Sequence, residues 1–278
     1  MHLSQPALTR SIQSLEQELD LLICDRHPRG IVLTQGGKMV VERARRVLFE
    51  SRALDRDVRL FNSHELGDVS FGVGPYPAAI LLTHVHATLS KSYRQLSIRT
   101  EVENWTTLLE RLHAEAIDFF VVEKRTMPSS PDLAVVPLSL YECGWFARPR
   151  HPTFQKEKCT MANLREMQIA SIPVPDALRE SFRKALQYKA SEPLHFHIEC
   201  NSFFALRELA AESDTVIYGP LAAVQRELKA GTLRRIVVEN AKALSMEFAI
   251  VYLAHRTLSP TAEKVIEAII ECDRLLHA

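Results

Sequence analysis

Four polar side chains near the start of the chain could recognise a nucleic acid. Gln5, Thr9 and Gln13 recur every four residues, and Arg10 stands beside them. Amides, hydroxyls and guanidinium groups hydrogen-bond to base edges and phosphates. No acidic residue precedes Glu16. Ser4 suits a helix N-cap, and Pro6 suits the first turn, where its missing N–H costs nothing. Leu8, Ile12, Leu15 and Leu19 follow at spacings of four, three and four, which is the apolar stripe of an α-helix. Glu16, Glu18 and Asp20 crowd the far end, where the helix dipole does not favour them. An ordinary amphipathic surface helix would read the same way. The next stretch, CDRHPRGIVLTQGGK, shifts the balance. It has a basic, Pro/Gly-marked turn between short apolar runs, and predicts a small hairpin with Arg26, His27 and Arg29 at its tip. A helix followed by a basic hairpin is a winged helix-turn-helix layout. The helix enters the major groove and the hairpin lies along the backbone or minor groove.

A second group of candidate residues suits a small ligand. Gly74-Pro75-Tyr76, Asn104-Trp105-Thr106 and Asn201-Ser202-Phe203 each stand where a predicted strand gives way to a helix. Each offers backbone N–H groups at a helix start plus small polar or aromatic side chains, which suits a small anion or carboxylate. Plain N-capping explains Asn104 and Asn201 taken singly. Convergence of the three stretches on one crevice is what a binding site requires, with Tyr218-Gly219-Pro220 closing its floor.

Three kinds of element must position these residues. From Gly37 onward, KMVVERARRVLFESRALDRDVRLFNS lacks Gly and Pro. Val40, Ala44, Val47, Ser51, Leu54, Val58 and Phe61 alternate at spacings of four and three, a narrow seam flanked by charge. A lone helix packed on its own domain could carry it, but a helix that pairs with a second copy fits better. A dimer would also set two reading helices on one two-fold duplex site. Beyond HELGD, strands and helices alternate: VSFGVGP, QLSIRTEVEN and IDFFVVE as strands, with helices between them, predict a parallel βαβαβ sheet. LAVVPLSLYECGWFARP reads as long strands leading away, and a second α/β set begins near Met161. Two lobes joined by strands leave a cleft at the C-terminal ends of strands.

Composition narrows the classes. The chain has 278 residues, 46% apolar and 24% charged, with a formal net charge of zero. DNA contact must therefore be local rather than a basic coat. No stretch of about 18 apolar residues suggests a membrane span, and the polar first residues are no signal peptide. Cys24, Cys143, Cys159, Cys200 and Cys272 are scattered with no CxxC, so a disulfide framework or zinc finger is not expected and a reducing cytoplasm fits. His84/His86 and His195/His197 make poor metal pairs, and Cys200 reads better as an inert thiol than as a redox sensor. With no nucleophile–base set, P-loop or HExxH, an enzyme is not expected, nor any cofactor.

The residues quoted so far match a known family. The chain resembles LysR-type transcriptional regulators over essentially its whole length, through LSQPALTRSIQSLEQEL, DRHPRGIVLTQGG, the linker helix, FGVGPYPAAILL, AIDFFVV, RPRHP and LSPTAEKVIEAI. The resemblance implies a fold of α plus α/β type: a partial winged helix-turn-helix at 1–37, a dimerising linker helix at 38–63, and a two-lobed effector-binding domain of the periplasmic-binding-protein type at 64–278. Lobe I would span about 67–138 and 245–278, and lobe II about 139–244. Ser4, Gln5, Pro6, Thr9 and Arg10 match the recognition helix, with Gln13 on the same face, and Arg26 and Arg29 match the wing. Pro75, Tyr76, Asn104, Trp105, Thr106, Asn201, Ser202, Phe203 and Tyr218 fall where effectors bind. Implied partners are double-stranded DNA, a second copy through the linker helix, a tetramer, RNA polymerase and a small, anionic metabolite. The family normally has two more helices before the recognition helix, and a mis-set start is the favoured expectation. The alternative function is a cytoplasmic small-molecule-binding protein with a truncated, non-functional head. Other departures are Asp20, where a small residue or glycine is usual; Cys24, where a large apolar one is; and Ala211-Glu212-Ser213-Asp214, where a glycine-rich turn is.

Overall fold

The computed structural model describes residues 5–277 except 28–29, 64–66, 94, 128, 175, 187, 189–193, 195 and 240–244. Helix α1 (Gln5–Leu19) leads through a turn to the antiparallel hairpin β1 (Cys24–His27) and β2 (Gly30–Leu33), in which Cys24 faces Leu33 and Arg26 faces Ile31. Glu16 is explained by contact rather than by the dipole. Its Oε1 accepts hydrogen bonds from the backbone N–H of Ile23 at 2.8 Å and of Cys24 at 3.0 Å, which ties α1 to the hairpin. Asp20, the family departure, sits in the left-handed region with φ 47°. Only glycine adopts that conformation without a steric cost, although aspartate tolerates it better than most residues. Asp20→Gly is therefore expected to stabilise the head by about 0.5–1 kcal/mol. The check is slower amide exchange across α1 and β1; unchanged or faster exchange would reject the account.

Thr34 starts the next helix, its Oγ1 accepting from the Gly37 N–H at 2.8 Å and donating to the Leu22 carbonyl at 2.6 Å. Helix α2 (Gln35–Ser63) then runs for 29 residues, about 44 Å at 1.5 Å per residue. The expected boundary between head and linker at 37/38 thus falls inside its first turn. A Cβ on Gly37 would lie 2.0 Å from the Ile23 carbonyl oxygen, so only glycine allows α2 to press this closely on the head.

Among the described residues the second region is one nine-stranded sheet. Strands β3 (Asp68–Val73), β4 (Ser97–Val102) and β5 (Phe119–Glu123) are parallel, in the order β4-β3-β5, as the alternation predicts. Helix α3 (75–92), whose second turn is wound as a π-helix, and α4 (Trp105–His113) connect them. The long strand β6 (Leu133–Ala147) leaves this half and enters the next. Its first part pairs antiparallel with β11 (Ser245–Leu253), which itself lies antiparallel to β5. Its last residues pair with β9 (Thr215–Pro220) and β10 (Arg234–Ile236). Beyond β9 lie β7 (Gln168–Ser171) and β8 (Ile198–Glu199), parallel again. The sheet is therefore mixed, parallel within each half and antiparallel along β6 and β11. Of the expected strand LHFHIEC only Ile198–Glu199 is paired, and His195 lies outside the described residues.

Helices α5 (Met161–Arg165), α6 (Asp176–Ala185), α7 (Phe203–Glu212) and α8 (Gln225–Ala230) belong to the second half, and α9 (Pro260–His277) returns to the first. Phe71 and Phe119 stack at 5.0 Å in the core beneath α3. Buried Asp273 fastens α9 to β6: it accepts from the Tyr141 hydroxyl at 2.6 Å and the Ser139 N–H at 2.9 Å. The departure at Ala211–Asp214 is met by Ser213, whose hydroxyl donates to the Leu209 carbonyl and accepts from the Thr215 N–H, ending α7 without glycine. Asp214 in turn pairs with Arg148 of the RPRHP stretch at 2.9 Å.

Candidate effector cleft and nucleic-acid interface

The head places Gln5, Pro6, Thr9, Arg10 and Gln13 on α1. Thr9, Arg10 and Gln13 lie on the side away from Leu8, Ile12, Leu15 and Leu19; Arg10 and Gln13 are exposed and Thr9 is half-buried. Arg26 lies on β1, one pair from the hairpin tip, while Ser4 and Arg29 lie outside the described residues. Leu8, Leu15 and Leu19 are 49%, 40% and 46% exposed, a stripe these described residues leave uncovered.

In the second region a narrow crevice of about 60 Å³ opens where the two halves of the sheet meet. One wall comes from the start of α3 (Pro75, Tyr76), the cap of α4 (Asn104, Trp105) and the end of β5 (Val122, Glu123). The other comes from Ile172–Val174 after β7, from Phe182 and from Asn201, with Met246 between them. Asn104 is held as an N-cap, its Oδ1 accepting from the Thr107 N–H at 3.0 Å. Exposed Thr106 donates its hydroxyl to the same oxygen and does not line the crevice. Ser202 and Phe203 line an adjoining, broader groove of about 390 Å³, which shares Pro75 and Asn201 with the crevice. Ser202 caps α7, accepting from the Ala205 N–H at 3.3 Å.

Tyr218 lies beneath the crevice rather than in its wall. Its carbonyl accepts from the Tyr76 hydroxyl at 2.9 Å, and the Tyr76 ring meets the Phe203 ring at 5.0 Å. These contacts join the helix start of one half to β9 and α7 of the other. Burial pushes the Tyr76 and Tyr218 hydroxyls well above the ordinary phenol range, so both stay protonated and Tyr76 remains a donor.

Sequence reasoning missed Val122, Glu123 and Ile172–Val174. The rule that ligands gather at the C-terminal ends of strands covers them, since they end β5 and follow β7. Phe182 and Met246 carried no such signal. The anionic ligand expected from the helix starts has no cation to receive it: among the described lining residues of the crevice there is no Lys, Arg or His, and Glu123 adds a carboxylate. Arg207 in the adjoining groove is already engaged, with the Ala223 carbonyl at 2.7 Å and Glu227 at 3.3 Å. Among the described residues no group of three or more His, Cys, Asp or Glu could hold a metal ion, and no helix is long and apolar enough to cross a membrane.

A winged head, a long helix and a two-part sheet with an intervening crevice make a recognisable set. A family model described as "LysR substrate binding domain" matches residues 62–272, and one described as "Bacterial regulatory helix-turn-helix protein, lysR family" matches residues 1–38. The chain belongs to the LysR family of DNA-binding transcriptional regulators. The match across the head does not favour a small-molecule-binding protein with a defunct DNA-binding segment. The chain is 34% identical to the SDS degradation transcriptional activation protein of Pseudomonas sp. (strain ATCC 19151), covering 98% of this chain and 89% of that one. It is 25% identical to the hydrogen peroxide-inducible genes activator of Haemophilus influenzae, covering 96% and 88%. The crystal structure of CbnR, a LysR family transcriptional regulator, superposes with a TM-score of 0.68 at 16% identity, covering 98% and 91%. A full-length OxyR variant from Pseudomonas aeruginosa gives 0.66 at 21% identity, covering 99% and 87%. LysR regulators bind small-molecule effectors and DNA, and act as oligomers. In this LysR-type chain Cys143 is buried beside the Tyr218 hydroxyl. Burial pushes the thiol up to about 12, so it carries negligible thiolate at neutral pH.

Proposed function

We propose that this LysR-family chain is an effector-responsive regulator in which the interlobe crevice senses a small molecule and the head reads DNA. The observation that carries the reading is the crevice itself: both halves of the sheet line it, so a ligand there touches both and favours one closure over another. A ligand shifts such an equilibrium only by its differential affinity for the two states. The ranges 1–37, 38–63 and 64–278 serve as head, linker and effector domain. The effector domain folds as lobe I (about 67–138 and 245–278) and lobe II (about 139–244). Ser4, Gln5, Pro6, Thr9, Arg10 and Gln13 face the major groove, and Arg26 and Arg29 the flanking backbone. Pro75, Tyr76, Asn104, Trp105, Asn201, Ser202 and Phe203 contact or border the effector, and Thr106 and Tyr218 support them. Paired α2 helices set two heads on a partly palindromic site in the cytoplasm. Dimers join as tetramers, closure changes head spacing, and RNA polymerase reads the result. The chain binds and does not catalyse. A relative named for SDS degradation points to an effector with an apolar body, which the lining of Trp105, Phe182, Met246, Val122 and Ile172 also suits.

The test is a gel-shift titration of the full chain on duplex from beside its own gene. Affinity is expected to fall steeply with salt, because each phosphate contact releases counterions. Arg10→Ala should weaken binding about tenfold, in the range of one lost contact. Salt-insensitive binding, or unchanged affinity in the variant, would count against the assigned reading face.

A further inference from the structure

Glu123 is out of place in an apolar crevice. It ends β5 with its side chain 8% exposed, and it forms part of the crevice wall. Oε1 is taken by Arg125, whose Nε donates to it at 2.7 Å and whose Nη2 also donates to the Ser245 carbonyl at 2.8 Å. Arg125 is the only side chain among the described residues that hydrogen-bonds to this carboxylate, and it leaves Oε2 as a spare acceptor. A ligand that covers Oε2 without donating to it strands the acceptor away from water. One that supplies the donor avoids that loss, and the difference appears as selectivity.

The choice among donors follows from Arg125. Its guanidinium already offsets part of the Glu123 charge, and burial holds the carboxyl above the usual carboxylate range despite it, so an ammonium head would gain little attraction while losing its hydration in an apolar crevice. A carboxylate or sulfate head would set lone pairs against lone pairs with no lining cation to offset them. A hydroxyl fits both conditions, being uncharged and a donor. We propose that Glu123 sets the specificity of this crevice, and that it selects an apolar molecule bearing one hydroxyl, an alcohol or phenol, over the carboxylate, sulfate or amine of the same body. The proposal rests on the reading of the crevice as the effector site.

The experiment measures binding of matched probes to the full chain by calorimetry. Hexyl, octyl, cyclohexyl and phenyl bodies are each tried as the alcohol or phenol, the carboxylate and the amine, with octyl sulfate added. For every body that binds, the hydroxyl member should bind at least tenfold more tightly than the carboxylate. Glu123→Gln keeps the shape and removes the excess lone pairs, and should bring that ratio within threefold. Ile172→Trp fills the crevice and should abolish binding of all probes. If binding disappears in Ile172→Trp but the carboxylate or amine is preferred, the Glu123 assignment is overturned while the effector site stands. If binding survives Ile172→Trp, or no probe of any head group binds, both are overturned. Should Glu123→Gln fail to fold, the preference in the unaltered chain decides alone.

Discussion

Placing glutamate at both Val47 and Leu54 is expected to break the protein into monomers and to cost at least a hundredfold in operator affinity. On α2, Val47 and Leu54 are 68% and 64% exposed, one heptad apart, and neighbouring Leu48 is 58% exposed. A 29-residue helix with that much apolar surface outward has no cover within the described part of its own chain. Burying one such side chain contributes roughly 1.5–3 kcal/mol. Two positions in each of two chains make the gross loss about 6–12 kcal/mol, before the repulsion of glutamates facing across a two-fold axis. Even a quarter of that is more than a tenfold change, and half of it more than a hundredfold, in a dissociation constant at about 1.4 kcal/mol per decade. A single head holds half of a two-fold site, so DNA affinity falls with the dimer. Sedimentation equilibrium reads the mass, circular dichroism confirms that the helix persists, and a gel shift reads the operator. A helical double variant that stays dimeric would move the interface off α2.

Much of this architecture could be read from the residues because the relevant interactions are local. The four-three-four spacing of Leu8, Ile12, Leu15 and Leu19 is a property of one helix, and so is the seam of α2. The βαβαβ rhythm implies the parallel order of β3 to β5, because short right-handed crossovers leave few alternatives. What the sequence hid is long-range. Strand β11 pairs with β5 and β6 from more than a hundred residues away, and no local pattern marks it as antiparallel. Glu16 looks misplaced against the helix dipole until its two hydrogen bonds to Ile23 and Cys24 are seen.

The candidate site was legible to the same extent. Pro75, Tyr76, Asn104, Trp105 and Asn201 could be named because helix starts after strands are marked by caps and small residues. Thr106 could not be separated from its neighbours, since which way a first-turn side chain points depends on the Asn104 cap. The electrostatic character of the crevice was hidden for a related reason. Helix N-termini suggest an anion, but the nearer walls, Glu123 and the apolar residues of the opposite half, come from elements whose meeting only the fold reveals.

Gly219→Ala is expected to cost about 1–3 kcal/mol, the usual range for overpacking a filled core. The added Cβ would lie 2.7 Å from Cζ of Phe203 and 3.1 Å from Cε1 of Tyr76. Both rings are buried, at 2% and 5% exposure, so neither can swing into solvent. Gly219 itself is fixed, because β9 pairs it with Gly144 on β6. The strain must therefore move a ring, and moving Tyr76 stretches its hydrogen bond to the Tyr218 carbonyl across the two halves. The decisive measurement is a double-mutant cycle in thermal and urea unfolding. Phe203→Leu alone destabilises by leaving a void, but combined with Gly219→Ala it makes room for the new methyl, so the pair should be at least about 0.5 kcal/mol more stable than the two single losses added together. Strict additivity would mean that the ring and the glycine do not share one tight contact. The rings of Tyr76 and Phe203 would then not hold the halves in register, and the crevice between them would owe its shape to β6 and β11 alone.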